Sequence, residues 1–135
     1  MTVPVSQLKG IDQNTAKALQ GLGVKDSDQM LESAATPAQR KDLAAKVGVD
    51  VRALLELANR ADLARVKGVA GVYSDLLERA GVDTVKELAT RRPDNLHKKI
   101  LETNEAEQIT ARAPTADMVE DWVTQAKELP KVLEY

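Results

Sequence analysis

The chain contains no cysteine, and His97 is its single histidine. The lack of cysteine excludes disulfides, thiol catalysis and cysteine-based metal sites. One histidine cannot form a histidine cluster, and no glycine-rich phosphate loop is present, so few residues remain from which an active site could be assembled. We therefore expect a protein that is not an enzyme and that binds neither a metal nor a cofactor.

Aromatic residues are also scarce, with no phenylalanine, one tryptophan and two tyrosines among 135 residues. Since 43% of the residues are hydrophobic, a core can form, but leucine, valine and alanine must build it. Such a composition favours closely packed helices over sheets. No apolar run approaches the length of a membrane span, and the first residues lack the basic-then-apolar pattern of a signal peptide. These features predict a cytoplasmic protein that does not contact a membrane.

The net charge of −2 argues against an extended nucleic-acid surface, because dedicated nucleic-acid binders usually carry a basic excess. The charge is nevertheless segregated along the chain. Residues 86–99 hold five basic and two acidic side chains, whereas the residues from 102 onward hold eight acidic and three basic ones. The sequence therefore predicts a local basic cluster followed by an acidic end.

The chain also contains an internal repeat. Residues 8–31 align with residues 66–89 without a gap, at an offset of 58 that places Gly10 over Gly68. Further along, the offset becomes 65, so the second copy has gained seven residues between its two halves. We interpret the pattern as a tandem duplication. The predicted organisation is one domain, 1–135, with a first repeat at 6–64, a second repeat at 65–130 and a short C-terminal tail at 131–135.

Helix signals cover nearly the whole chain. The stretches Thr36-Pro37-Ala38-Gln39 and Thr84-Val85-Lys86-Glu87 each predict a capping box, the first with proline in the first helical turn. Trp122 shares one helical face with apolar neighbours, which predicts a core residue. The fold class expected is all-α, a compact helical bundle with two helix-hairpin-helix-containing repeats. The predicted helices are 13–22, 27–34, 37–47, 51–64, 71–80, 85–91, 94–103, 105–112 and 116–128, with short lead-in helices before Gly10 and Gly68.

Two turns follow the pattern of a helix-hairpin-helix, in which Gly-hydrophobic-Gly joins two short helices. These turns read Gly10-Ile11-Asp12 and Gly68-Val69-Ala70. Glycine permits a positive φ angle at the turn, and the hydrophobic residue fills the space between the helices. The amide groups of such a turn and the N-terminus of the following helix suit an anion such as phosphate. In both copies, however, another residue replaces the second glycine.

Asp12 and Ala70, the replacements, leave two interpretations open. Asp12 can cap the helix that follows and occupy the amide groups that a phosphate would otherwise contact, so that the hairpin only holds the fold. Alternatively, the turns bind phosphate with the help of Lys9 and Lys67, which flank them, and of Lys17 nearby.

The densest basic cluster consists of Arg91, Arg92, Lys98 and Lys99. These side chains are candidates for contacts to phosphates or other anions. The alternative is a solvated helix flank in which the two lysines balance Glu102, four and three residues away.

The tail after Pro130 carries Val132, Leu133 and Tyr135. A short tail of this kind either docks on its own helices or reaches a partner, and the sequence leaves both alternatives open. A protein-binding function predicts an exposed apolar patch or groove in which these three residues take part.

The second repeat carries a family resemblance, marked by Gly81-Val82-Asp83-Thr84-Val85, by Pro93-Asp94-Asn95-Leu96 and by Trp122. On these residues, the segment 8–129 resembles the bacterial family of tandem helix-hairpin-helix proteins that is designated a domain of unknown function. The resemblance implies an all-helical bundle with two hairpin units and no catalytic residues. A more general resemblance to the helix-hairpin-helix domains of DNA repair and replication proteins implies DNA binding, although Asp12 and Ala70 depart from that pattern.

Two functions are consistent with these observations. The one we expect is a non-enzymatic interaction or scaffold module that binds a protein partner. The alternative is sequence-independent binding of the DNA or RNA backbone through the hairpin turns, which the charge distribution predicts to be weak. The identity of the partner and the oligomeric state are left open by the sequence.

Overall fold

A computed structural model of the chain describes residues 2–8, 10–69 and 71–135. Over this described part the chain forms helices and no β-strand, which confirms the predicted all-α class. In the same part no helix is both long enough and apolar enough to cross a membrane. The elements are a 3₁₀ turn at Val5–Gln7 and the helices α1 Gln13–Gly21, α2 Ser27–Ser33, α3 Pro37–Val47, α4 Val51–Leu63, α5 Val72–Arg79, α6 Val85–Ala89, α7 Pro93–Glu107 and α8 Ala116–Glu128.

Side-chain caps explain where several of these helices begin. Thr36 forms the predicted capping box of α3, since its Oγ1 accepts from the Gln39 N–H at 3.2 Å and its own N–H donates to Gln39 Oε1 at 3.1 Å. At the start of α6, Thr84 accepts from the Glu87 N–H at 3.1 Å. The Glu87 carboxylate does not return this bond because it pairs with Arg91 at 2.9 Å. The predicted second capping box is therefore wrong in its second half.

The segment after position 93 differs from the prediction of two helices, 94–103 and 105–112. One helix, α7, spans the first range and ends where Gln108 takes a φ angle of +50°. The Asn104 side chain then binds both main-chain groups of Thr110, with its Oδ1 2.9 Å from the N–H and its Nδ2 3.0 Å from the carbonyl oxygen. These two bonds fold the chain into a loop before α8, so the predicted helix at 105–112 is wrong.

The two predicted lead-in helices also have different outcomes. A short helix does precede Gly10, in the form of the 3₁₀ turn. Before Gly68 the chain forms only turns, which follow directly on α4. In these turns the Arg65 N–H donates to the Asp62 carbonyl and the Val66 N–H donates to the Leu63 carbonyl. The second lead-in helix is therefore wrong.

Two hydrophobic cores form, one in each half of the chain. The first is built by residues of α1 to α4 with Val5 and Leu8, and the second by residues from Leu63 to α8. Trp122 is 2% exposed and belongs to the second core, as its helical face predicts. Leu133 belongs to the first core although it lies near the other end of the sequence.

Helices recur at the spacing of the sequence repeat. Helices α2 and α6 begin 58 residues apart, and α4 and α8 begin 65 residues apart with the same length of 13 residues. In the first half α2 and α3 both pack on α4, and in the second half α6 and α7 both pack on α8. This agreement supports the duplicated organisation, while the repeats at 6–64 and 65–130 stay a prediction.

Charged side chains near the end of α4 connect the two halves. Arg60 donates to Asp75 Oδ1 at 3.1 Å and also pairs with Glu78, both in α5. Asp62 is 4% exposed, and its Oδ2 accepts from the Val85 N–H at 2.8 Å at the start of α6. Helix α4 thus completes the first core and also positions the first two helices of the second half.

Candidate functional site

The first hairpin turn is closed by its own aspartate. Gly10 takes a φ angle of +86°, and Ile11 packs half-buried against the first core. Asp12 is the N-cap of α1, where its Oδ1 accepts from the Thr15 N–H at 2.7 Å. This hydrogen bond holds the pKa of the Asp12 carboxyl below its ordinary value of 3.8. The carboxylate therefore occupies an amide group that a bound anion would need, and it adds a negative charge at the turn.

The second hairpin turn is supported by α8. Gly68 takes a φ angle of +93°, and Val69 is fully buried in the second core. The side chain of Gln125 binds both main-chain groups of Lys67. Its Oε1 accepts from the Lys67 N–H at 2.8 Å, and its Nε2 donates to the Lys67 carbonyl oxygen at 3.2 Å. Ala70, the third residue predicted in this turn, lies outside the described residues.

The helix that follows this second turn begins differently from α1. The N-cap of α5 is Gly71, with a φ angle of +70°, and no side chain caps it with a hydrogen bond. The Ser74 hydroxyl donates to the Gly71 carbonyl at 2.7 Å and accepts from Arg60 at 3.2 Å. Consequently, the two turns present different chemistry, a carboxylate at the first and main-chain groups at the second.

The predicted phosphate contacts fall into two groups. Lys17, Lys67, Lys98 and Lys99 have exposed side chains, and in the described part of the chain none of them forms an ion pair, including the pairs with Glu102 that the alternative interpretation assumes. Lys9 lies outside the described residues.

The two arginines of the basic cluster are engaged locally. Arg91 pairs with Glu87 and donates to the carbonyl oxygen of Gly81 at 3.1 Å. Arg92 pairs with Asp94 at 3.1 Å, on the surface. Because both guanidinium groups already have carboxylate partners, a phosphate would have to compete for them.

The C-terminal segment, residues 130–135, docks on the first half of its own chain. Leu133 is 4% exposed in the first core. The Glu134 N–H donates to the Ala35 carbonyl at 2.7 Å, and the buried Arg40 donates to the Glu134 carbonyl at 2.5 Å. An apolar anchor and two hydrogen bonds to the main chain of Glu134 therefore hold this part of the segment.

Tyr135 adds a polar contact at the end of this segment. Its hydroxyl donates to Asn59 Oδ1 at 2.8 Å, and its ring lies 5.6 Å from the Arg40 guanidinium. Burial, with a smaller effect of the Asp62 and Asp83 charges, raises the pKa of Tyr135 to about 12. The residue as a whole remains 62% exposed, so one side of the ring faces solvent.

A cleft of about 320 Å³ opens between α6, the end of α8 and the C-terminal segment. Its walls are mainly apolar, and the three tail residues singled out by the sequence, Val132, Leu133 and Tyr135, all line it. Three of the exposed residues that line it are lysines, Lys86, Lys127 and Lys131, which we call the lysine rim.

A buried ion pair forms the base of this cleft. Asp62 Oδ1 accepts from Arg65 at 2.9 Å, while its Oδ2 accepts from the Val85 N–H. Arg65 in turn donates to the carbonyl oxygen of Pro130 at 2.5 Å. The aspartate charge is thus compensated, and the arginine connects the end of α4 to the C-terminal segment.

This arrangement also depends on two residues that were not predicted from the sequence, Arg40 and Asp62. Each lies on the buried face of its helix, Arg40 three and four residues before Leu43 and Ala44, and Asp62 four residues after Ala58. A charged residue at an apolar position of a helical pattern is a signal of a buried, partnered charge. The same signal would have indicated that these two side chains bind distant parts of the chain.

Comparison with known proteins gives a family. The family model described as "Domain of unknown function (DUF4332)" matches residues 9–129, which is nearly the whole chain. No curated protein and no solved structure matches the chain significantly.

Proposed function

Since the chain belongs to the family designated a domain of unknown function, DUF4332, we propose a function from the geometry of the site: the protein is a non-enzymatic interaction module that binds another protein at the cleft. The observation that carries the proposal is the cleft itself, which stays open after both cores are filled. Its volume of about 320 Å³ lies at the lower end of the range of ligand sites, roughly 300–1,000 Å³. A few side chains of a partner would fill it.

The architecture of the walls supports a protein partner over a small metabolite. Val85 and Ala126 contribute apolar surface from two helices, and Leu133 adds a wall that the C-terminal segment supplies. Apolar contact with a few polar groups at the border is the composition of a hydrophobic interface centre with a polar rim. The cleft therefore suits side chains of a peptide segment that inserts into it.

We further propose that the two halves are helix-hairpin-helix units whose turns hold the fold. The positive φ angles of Gly10 and Gly68, the Asp12 cap and the equivalent helix positions support this proposal. In this arrangement the hairpins position α4 and α8, and the cleft forms where the two units meet.

The test is a selection of peptides against the intact protein. A library of random peptides displayed on phage is selected on the wild type, and the enriched peptides are synthesised and measured by fluorescence anisotropy. Ala89→Trp and Thr90→Trp each place a large ring into the cleft, since both residues line it. Ala45→Trp, at an exposed position of α3, is the matched control.

We expect peptides that bind the wild type and Ala45→Trp equally and that bind the two cleft-filled variants at least about tenfold more weakly, a difference of about 1.4 kcal/mol. Circular dichroism checks that all variants stay folded. If every enriched peptide bound the cleft-filled variants as well as the wild type, the cleft would not be the binding site and the proposal would be wrong.

One observation favours the alternative, sequence-independent binding of the DNA or RNA backbone, at the second hairpin. There the N-terminus of α5 lacks a side-chain cap, and the exposed side chain of Lys67 flanks the turn. A helix N-terminus and a lysine attract phosphate. The first turn offers no equivalent, because Asp12 occupies it.

A further inference from the structure

Resting on the proposed function, we infer the chemistry of the partner: the cleft binds an acidic peptide segment that combines apolar side chains with aspartate or glutamate. The apolar side chains would enter the cleft, and the carboxylates would lie over the lysine rim. The juxtaposition that carries this inference is a charged border of one sign around an apolar cavity.

The lysine rim is assembled from three separate elements. Lys86 belongs to α6, Lys127 to the last turn of α8, and Lys131 to the C-terminal segment. All three side chains are exposed, and in the described part of the chain none of them takes part in an ion pair. Their ammonium groups are therefore available to a partner.

Apart from Asp62, the acidic groups near the cleft lie outside its lining. Among the described residues, Asp62 has the one carboxylate side chain that lines the cleft, and it is already paired with Arg65. The exposed Asp83, Glu128 and Glu134 are neighbours in sequence but do not line the cleft. The charges that line it, Asp62 and Arg65 together with the three lysines, sum to +3.

The positive charge at this border is opposite in sign to the net charge of the whole protein, which is −2. A partner with a uniform negative charge would be weakly repelled at long range, since charges of like sign repel. A short acidic segment, in contrast, is attracted only where the lysines converge. Complementary charges at the border of an interface raise the association rate and fix the orientation of the partner.

The apolar cleft distinguishes a peptide from nucleic acid. A phosphate backbone would contact the lysines but leave the partly exposed apolar surface of Ala89, Leu129 and Val132 without a partner. Burial of apolar surface contributes about 25 cal/mol per Å², and a peptide with leucine-like side chains gains this contribution together with the charge contacts. The combination therefore favours an acidic, partly apolar peptide.

The experiment uses the peptides that the selection on the intact protein yields. The strongest cleft-dependent peptide is compared with a version in which every Asp and Glu is replaced by Asn or Gln. Both are titrated against the wild type, against Lys86→Glu/Lys127→Glu/Lys131→Glu and against a control with the same charge change at exposed lysines elsewhere, Lys25→Glu/Lys41→Glu/Lys98→Glu.

We expect the neutral peptide and the rim variant each to lose about tenfold in affinity, chiefly through a slower association rate, with the control variant close to the wild type. Raising the ionic strength from about 0.01 M to about 1 M, which shortens the Debye length from about 30 Å to about 3 Å, should remove most of the difference. The rim variant should in addition prefer a peptide with lysines in place of the acidic residues.

Four results would overturn the inference. Cleft-dependent peptides that carry no excess of acidic residues, or that bind the rim variant as tightly as the wild type, would refute the acidic partner and leave the protein-binding proposal intact. A selection without any cleft-dependent peptide would refute both. A labelled DNA duplex that binds the wild type more tightly than the acidic peptide and loses that affinity in the rim variant would assign the lysines to nucleic acid.

Discussion

Gly68 and Trp122 lie so close together that a Cβ atom at position 68 would be 3.2 Å from the indole Nε1. Trp122 is 2% exposed within the second core, so its ring has little freedom to move away. At the equivalent position of the first half, a Cβ atom on Gly10 would have no neighbour within 4 Å. The two glycines share a positive φ angle, of +93° and +86°, but only Gly68 is also confined by a side chain.

Substitution of these two glycines by alanine separates the two effects. Gly10→Ala should lower the free energy of unfolding by about 1 kcal/mol, the cost of a positive φ angle, and Gly68→Ala by roughly 2–3 kcal/mol because contact with Trp122 is added. Urea unfolding of both variants measures the difference. Equal losses would show that Trp122 adjusts without cost.

Asp12 should stabilise α1 in a pH-dependent manner. Its pKa in the folded protein lies below the ordinary 3.8, so its contribution is fully present above pH 3.8 and is lost as the pH falls through the lower folded value. The thermal midpoint of Asp12→Ala should therefore lie below that of the wild type at neutral pH, and the gap should narrow in acid. Asp12→Asn is the control, because it retains an acceptor for the Thr15 N–H but does not titrate. A gap between Asp12→Ala and the wild type that is constant with pH would contradict the assignment of the carboxylate as the cap.

Leu133 should stabilise the first half of the chain rather than the second. Leu133→Ala removes a buried side chain from the first core and should cost about 2 kcal/mol, at the lower end of the range for leucine, because a terminal segment can adjust. Hydrogen exchange should speed up in α3 and α4 more than in α7. Glu134→Ala, which retains the main-chain bonds to Ala35 and Arg40, is the control and should behave as the wild type. Uniform loss of protection in both halves would argue against a local anchor.

Tyr135 should release the C-terminal segment at alkaline pH. Burial raises the pKa of Tyr135 in the folded protein to about 12 from an ordinary value of 10.0, so the docked position favours the neutral hydroxyl. The resulting stabilisation is present below pH 10 and is lost as the pH rises towards 12. The wild type and Tyr135→Phe are both titrated by near-ultraviolet absorbance. The difference between the two titrations should show the ionisation of the Tyr135 hydroxyl alone. A step at the ordinary value would show that the hydroxyl is not docked.

DNA binding should be weak and strongly dependent on salt. We expect a dissociation constant of roughly 10⁻⁴–10⁻⁶ M at physiological salt, the ordinary range of non-specific binding, or no binding. A labelled duplex and a single strand are titrated at about 50 and 200 mM salt, with Lys67→Glu tested against the exposed control Lys41→Glu. Submicromolar binding at the higher salt that Lys67→Glu alone abolishes would favour the nucleic-acid alternative over the protein partner.

The local structure of this protein can be predicted from short stretches of its sequence. The threonine caps at Thr36 and Thr84 and the period of apolar residues around Trp122 predict helices because both signals act within a few residues. The same reasoning places Asp12 at the start of α1, where the structure has it as the N-cap. The predicted helix at 105–112 is wrong, because the Asn104 side chain forms hydrogen bonds to Thr110 that compete with helix formation. The spacing of apolar residues does not indicate these bonds.

The contacts between residues distant in sequence, in contrast, depend on how the helices pack. The apolar character of Leu133 is evident in the sequence, but its burial against the first core depends on the path of the chain through the eight α-helices of its described part. Likewise, nothing in the sequence distinguishes the three lysines of the rim from other surface lysines. The packing of α6 on α8, together with the C-terminal segment, brings them to one cleft. Caps and helical periods depend on neighbours in sequence, whereas a core, a buried ion pair or a cleft forms from contacts that the order of residues does not reveal.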